Sequence, residues 1–327
     1  MLRRLKHRIA LFIMKHVGTG KVFNLLRELN YFLFHHEQKT VKKRFGEKNP
    51  DKTFYVIIPN GREAGLISMF WSIAVKIEYA LSKGYYPIVD IKNYECQYTI
   101  NDDINIWEVF FKQPIKYSLE EVYQSKNVII MGSRDCSRSE NPIITSVTYD
   151  NDSNKKKQKF ILQYADVNEE IKEEARLYRK EHKDDNILGV FLRGTDFVAL
   201  KPSGHNVQPT TKQVMEKVDE FLHKYPIDFI FLVTEDEKIR SEFQEKYRDI
   251  LLPNMGATIE NYDEKDYICY YLSQEDKINN AKVYLKKLII LSECDYLISS
   301  LTNGSVYSLA YNCDFKDSYI FDLGRYK

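Results

Sequence analysis

Short apolar runs that end in a polar or glycine-bearing turn and lead into a helical pattern recur along both halves of this chain, and that alternation most narrows its fold. Phe54 to Ile58 reads as a strand, Pro59 to Gly65 as a loop, and Leu66 to about Ser82 as a helix. Gly84 then leads into a second strand from Tyr86 to Asp90, completing a βαβ unit. Val128 to Met131 reads as a further strand, Asp150 to Lys159 as a polar surface loop, and Val167 to His182 as a charged crossover helix.

The alternation then resumes. A strand from Ile187 to Leu192 precedes a helix from Thr210 to His223, a strand from Phe229 to Val233 and a helix from Glu237 to Tyr247. A short strand near Ile250 to Leu252, a helix from Lys282 to Ser292, a strand from Tyr296 to Ser299 and a helix from about Ser305 to Tyr311 follow. Strand–helix alternation in both halves implies an α/β chain of two parallel-sheet domains facing one another across a cleft. The expected division is 50–183 and 184–327, after an N-terminal segment 1–46.

Segment 1–46 interleaves Arg3, Arg4, Lys6, Arg8, Lys15, Lys21, Arg27 and Lys39 to Arg44 with Phe12, Phe23, Phe32 and Phe34. A basic, Phe-rich amphipathic helix either lies on an anionic membrane surface or packs on the protein's own body. The whole chain carries a formal net charge of only +1, which argues against bulk attraction to nucleic acid. Its five cysteines show no C-x-x-C spacing and read as reduced thiols. Neither a membrane span nor a cleaved signal peptide is evident, so the expected location is the cytoplasm, peripheral on the inner face of the membrane.

Four clusters carry candidate chemistry. The first is the turn Leu192, Arg193, Gly194, Thr195, Asp196, where a strand end should open onto a ligand cleft. Arg193 suits phosphate oxygens, Gly194 permits a tight turn, and Asp196 can orient the arginine or take a proton. The loop continues to His205, a candidate general base. In the second cluster, Ser299, Ser300, Leu301, Thr302, Asn303, Gly304 and Ser305 join a strand to a helix start, where free N–H groups and hydroxyls make an anion site or simply cap the helix. The third is Thr234, Glu235 and Asp236, at a strand end where acids bind ribose hydroxyls or cap the next helix. The fourth, Gly61, Arg62, Glu63, Ala64 and Gly65, fits neither the dinucleotide nor the P-loop spacing, but places Arg62 at a helix start. Asp150, Asn151 and Asp152 form a D-x-D triplet of the kind that holds a nucleotide diphosphate through a divalent ion.

In this order the clusters resemble the fucosyltransferase superfamily of α-1,2-, α-1,6- and protein O-fucosyltransferases, over most of the chain after residue 50. The family's glycine-bearing block looks like Gly61 to Asp90, its Arg-bearing block like Phe191 to Asp196, its Thr-Asp-Asp strand end like Thr234 to Asp236, and its Ser-rich last block like Leu288 to Tyr311. The resemblance implies a GT-B arrangement of two Rossmann-like domains, no metal, and Arg193 on the donor's β-phosphate, with the Ser-rich turn holding the diphosphate. Phe191 replaces the family's His, Gly194 stands where a second Arg often sits, Lys201 falls roughly where α-1,6 enzymes carry their proposed base, and Lys287 lies near the acid that grips guanine in some members.

The implied function is inverting transfer of fucose from GDP-fucose to a hydroxyl of a glycan or lipid-linked oligosaccharide, with Arg193, Asp196 and His205 as catalytic candidates. Donor-binding candidates are Gly61, Arg62, Gly65, Arg193, Thr195, Thr234, Glu235, Asp236, Ser300, Thr302, Asn303, Gly304 and Ser305. Two other readings are a metal-dependent transferase using Asp150 and Asp152, and a non-catalytic nucleotide-sugar or glycan-binding scaffold.

Overall fold

A computed structural model describes residues 39–59, 65–100, 103–133, 135–144, 150–256, 259 and 274–327. Its first sheet contains β1 (Val41–Lys43), β2 (Lys48–Ile57), β3 (Tyr86–Val89) and β4 (Ser125–Ile130), in the order β1-β4-β2-β3. β2 runs parallel to β3 and β4, and β1 pairs antiparallel with β4 at the edge. The second sheet contains β5 (Ile187–Phe191), β6 (Phe229–Val233), β7 (Tyr296–Ser300) and β8 (Asp317–Phe321), all parallel, in the order β6-β5-β7-β8. β5 is buried along its whole length, as a central strand covered on both faces must be.

Helix α1 (Leu66–Ser82) forms where the sequence places it. Phe70, Ile73, Ala74, Ile77 and Ala80, at helical spacing, give it a face that is almost wholly buried. It ends at Gly84, whose φ of 71° only glycine adopts without strain, while Tyr85 N–H donates to Ala80 O and Gly84 N–H to Leu81 O. The short helices α2 (Ile106–Phe110) and α3 (Leu119–Val122) follow, capped by the side chains of Asn105 and Ser118.

Between the sheets run α4 (Asn151–Tyr164) and α5 (Glu169–Glu181). The second half adds α6 (Thr195–Ala199), α7 (Thr211–Lys224), α8 (Glu237–Tyr247), α9 (Gln274–Ser292) and α10 (Asn303–Tyr311). α4 packs on α10, α5 on α9, and α1 also reaches α10, so one hydrophobic core runs from Phe54 and Phe70 through to Leu288 and Tyr307. Phe70 meets Trp71, Trp107, Phe111 and Tyr307 at ring separations of 4.8 to 6.2 Å, joining the halves through aromatic contacts. A seam packed this way is rigid, and it fixes the start of α10 against α1.

Several expectations are corrected. The stretch from Asp150 to Lys159 is not a loop: Asp150 caps α4 by accepting from Ser153 N–H at 2.9 Å, and Lys157, Phe160 and Ile161 are buried. A lysine run looks solvated in sequence, but Lys157 is fully enclosed, with its ammonium 5.9 Å from the Trp71 ring centre. Residues 1–38 of the expected helical segment lie outside the described residues, and Val41–Lys43 near its end is a strand. Leu251 makes only an isolated bridge to Ile230. Among the described residues Cys96, Cys136, Cys294 and Cys313 form no disulfide. Among the described residues no helix is long and apolar enough to cross a membrane.

Candidate functional site

Strand register brings three of the sequence clusters together. Phe191, the last residue of β5, pairs with Val233 of β6 on one side and Ser299 of β7 on the other. The turns at 192–196, 234–236 and 301–304 therefore leave the sheet side by side. From β5 the chain goes outward to β6 and later crosses to β7 on the opposite flank, so the carboxyl ends of β5 and β7 border a topological switch point. Ligands of open α/β sheets bind in such crevices.

Arg193 organises the first turn. Its Nε–H donates to Glu235 Oε1 at 2.8 Å and an Nη–H to Asp196 Oδ1 at 3.2 Å, while the guanidinium lies 4.3 Å from the Phe197 ring centre. Burial opposes the charge, but Glu235 and Asp196 outweigh it and raise the arginine's pKa further above its ordinary value. Glu235 Oε1 also accepts from Gly194 N–H at 3.1 Å and Thr195 Oγ1–H at 3.1 Å. Every one of these bonds ends on the same carboxylate oxygen; Oε2 accepts none among the described residues.

Asp236 locks the turn from below. Its Oδ1 caps α8 by accepting from Lys238 and Ile239 N–H, and its Oδ2 accepts from Thr195 N–H at 3.2 Å. These bonds hold Thr195 at φ 44°, a left-handed conformation that is costly for a β-branched residue. A Cβ at Gly194 would collide with the Asp236 carboxylate, so only glycine fits there. The strain and the glycine together fix the turn that carries Arg193 at the end of β5.

Opposite stands the start of α10. Thr302 and Ser305 form a reciprocal capping box: Ser305 N–H donates to Thr302 Oγ1 at 3.1 Å, and Thr302 N–H to Ser305 Oγ at 2.8 Å. Asn303 and Gly304 N–H have no acceptor among the described residues. Ser300 Oγ is buried without a partner among the described residues. Trp71 of α1 donates Nε1–H to Asn303 O at 3.2 Å, so the first half helps to hold this turn.

Tyr284 of α9 joins the two sides. A Cβ at Gly304 would collide with the Tyr284 hydroxyl and crowd the Phe191 ring. Burial raises the Tyr284 pKa to about 12, with Arg193 opposing and Glu235 reinforcing the shift. One helical turn on, Lys287 is 6% exposed. Its only hydrogen bond among the described residues is to Asn254 Oδ1 at 3.4 Å, and burial pulls its pKa down to about 8 against the pull of Glu235.

The sequence candidates divide accordingly. Arg193, Thr195, Asp196, Glu235, Ser300, Asn303 and Gly304 gather at the switch point. Thr302 and Ser305 are engaged with each other, and Asp236 with the α8 cap and Thr195. Buried Thr234 accepts from Asp236 N–H at 3.2 Å and is thus spent on the turn. Exposed His205 lies 5.3 Å from the Phe197 ring, one residue removed from Arg193. Gly65 sits at the N-cap of α1 with nothing near the position of a Cβ, so glycine is not required there. Gly61 and Arg62 lie outside the described residues. Tyr284 and Trp71 were missed because they meet the site only through tertiary packing; Phe197, in the Arg193 loop, was given no role, and Lys287 was named only in the resemblance.

No family profile and no curated protein matches the chain. Among solved structures it is similar to the fucosyltransferase NodZ from Bradyrhizobium, with 15% identity over 83% of this chain and 95% of that one and a TM-score of 0.48. It is also similar to POFUT1 in complex with GDP, with 10% identity over 84% of this chain and 99% of that one and a TM-score of 0.48.

Proposed function

We propose that the protein is a GT-B-type glycosyltransferase that moves a sugar from a nucleoside diphosphate, fucose from GDP-fucose, to a hydroxyl of a glycan or lipid-linked precursor. The observation that carries this reading is the strand register that sets the Arg193 turn beside the start of α10, where the Asn303 and Gly304 N–H groups have no acceptor among the described residues. A guanidinium and two amides at a helix start are what a leaving diphosphate needs as charge builds on it. GDP-fucose is supported by the ordered motif resemblance.

In this reading residues 184–327 hold the donor and 50–183 face the acceptor. Direct displacement with inversion requires only that the acceptor hydroxyl lose its proton as the sugar–phosphate bond breaks. Asp196, already bonded to Arg193, or His205, beside Phe197, takes that proton. The protein groups supply the diphosphate's charge stabilisation, so the mechanism is metal-independent. Asp150 is engaged in capping α4, and the D-x-D triplet has no part in it. The basic segment 1–46 holds the enzyme against an anionic membrane face, where a lipid-linked acceptor lies.

A thermal-shift series with GDP, UDP, CDP and TDP tests the donor, because a ligand that binds only the folded state raises the melting temperature. The reading expects the largest shift with GDP, followed by transfer or slow hydrolysis of GDP-fucose that persists in EDTA. A larger shift with UDP or CDP would reject the fucose assignment. Binding without any turnover would make the protein a scaffold.

A further inference from the structure

The charges around Arg193 do not balance for an anionic ligand. Arg193 contributes one positive charge, and Glu235 and Asp196, both bonded to it, contribute two negative ones. A diphosphate arriving there would meet a net negative cluster, whose cost the two amides of α10 only partly offset. The turn itself has no room for a second cation, because the Asp236 carboxylate occupies the space where any side chain at 194 would start.

Lys287 is the group that the Arg193 network leaves over. It is enclosed on α9, one turn from Tyr284, whose hydroxyl abuts Gly304. An ammonium has three protons to donate, and among the described residues this one has a single long bond to an amide oxygen. Its charged neighbours are Glu235 at the end of β6 and Arg240 of α8. Glu235 Oε1 is filled by Arg193 and its turn, and the charge of the same carboxylate also acts on Lys287. A buried ammonium without good acceptors is costly to keep, and an arriving anion would relieve that cost.

We propose that Lys287 is the second cation of the donor site, donating to a phosphate oxygen of the bound nucleoside diphosphate opposite Arg193. This rests on the glycosyltransferase reading. The arrangement makes the site a clamp built from two elements, a strand-end arginine held by Glu235 and a mid-helix lysine.

Calorimetric titration of the full chain with GDP and with inorganic pyrophosphate tests it, on wild type, Lys287→Met and Lys287→Arg. Lys287→Met should weaken both ligands by about 10- to 100-fold, the scale of one hydrogen bond to a charged group, and Lys287→Arg should recover most of the loss. Without ligand, Lys287→Met should melt no lower than wild type, because it removes an underpaired buried charge; a purely structural lysine would lower it. Weaker GDP binding with unchanged pyrophosphate binding would place Lys287 on the nucleoside and overturn the proposal. So would unchanged binding of both by a folded Lys287→Met. Wild type that binds neither ligand would overturn the glycosyltransferase reading along with it.

Discussion

Each half of the molecule buries a lysine near the carboxyl edge of its sheet, and the two are treated differently. In the first half Lys76 Nζ donates to Asp135 O at 2.6 Å and Ser137 O at 2.8 Å, with Asp135 Oδ1 at 3.4 Å. Asp135 in turn accepts from Thr40 Oγ1, Tyr55 hydroxyl and Ser137 N–H. That cluster is closed and pins the segment after β4 onto α1. In the second half Glu235 Oε2, the Asn303 and Gly304 amides and most of the Lys287 ammonium lack partners among the described residues. A structural ion cluster fills its valences from within; a binding site leaves them for a ligand.

The contrast can be broken by mutation. The largest effect expected is on stability in the first half: Lys76→Met strands Asp135 in a buried position and should cost about 3 to 5 kcal/mol by urea unfolding, with turnover per folded molecule unchanged. Lost turnover at full stability would reverse the roles assigned to the two halves. Arg193→Ala should instead lower kcat per folded molecule by about 100- to 1,000-fold, the scale of removing one charge-stabilising donor, and should also lower the melting temperature because it strands Glu235 and Asp196. Gly304→Ala drives a methyl into the Tyr284 hydroxyl and should cost about 1 to 3 kcal/mol while also weakening nucleotide binding. Thr302→Ala removes only a helix cap and should cost about 1 kcal/mol in the same unfolding assay.

A pH titration sharpens the same comparison. Burial alone would raise the Asp135 carboxyl, but hydrogen bonds from Ser137 and Thr40 and the nearby Lys76 ammonium outweigh it and hold the group well below the ordinary carboxylate range. A depressed acid pKa contributes stability above the unfolded value, near pH 4, and loses it as the pH falls further. Wild type should therefore lose stability steeply below about pH 4, and Asp135→Asn should flatten that limb. An unchanged acid limb in the variant would show that Asp135 does not hold the first half together.

Much of this was legible in the sequence where period and punctuation agree. The helix from Leu66 to Ser82 and the strands at 187–191 and 229–233 stand where apolar spacing and Gly84 put them. β8 escaped notice because an edge strand reading Asp-Ser-Tyr-Ile-Phe, mostly exposed or half-buried, lacks an apolar run. α4 was hidden by its lysines. At the site, Arg193 and the α10 start could be read because each closes a strand. Glu235 was read as a candidate ligand for ribose hydroxyls or an exocyclic amine, and its bonds to Arg193 and the following turn become visible only in the fold. Tyr284 and Lys287 arrive from a helix about 90 residues downstream of Arg193, a separation only the folded sheet closes.

The central claim is that Arg193 and the amides of α10 grip one diphosphate, and a crystal structure of the full chain with GDP tests it most directly. The account predicts a phosphate oxygen within hydrogen-bond reach of the Arg193 guanidinium and another, on the same diphosphate, within reach of Gly304 N–H. GDP bound with its phosphates away from either group would contradict it.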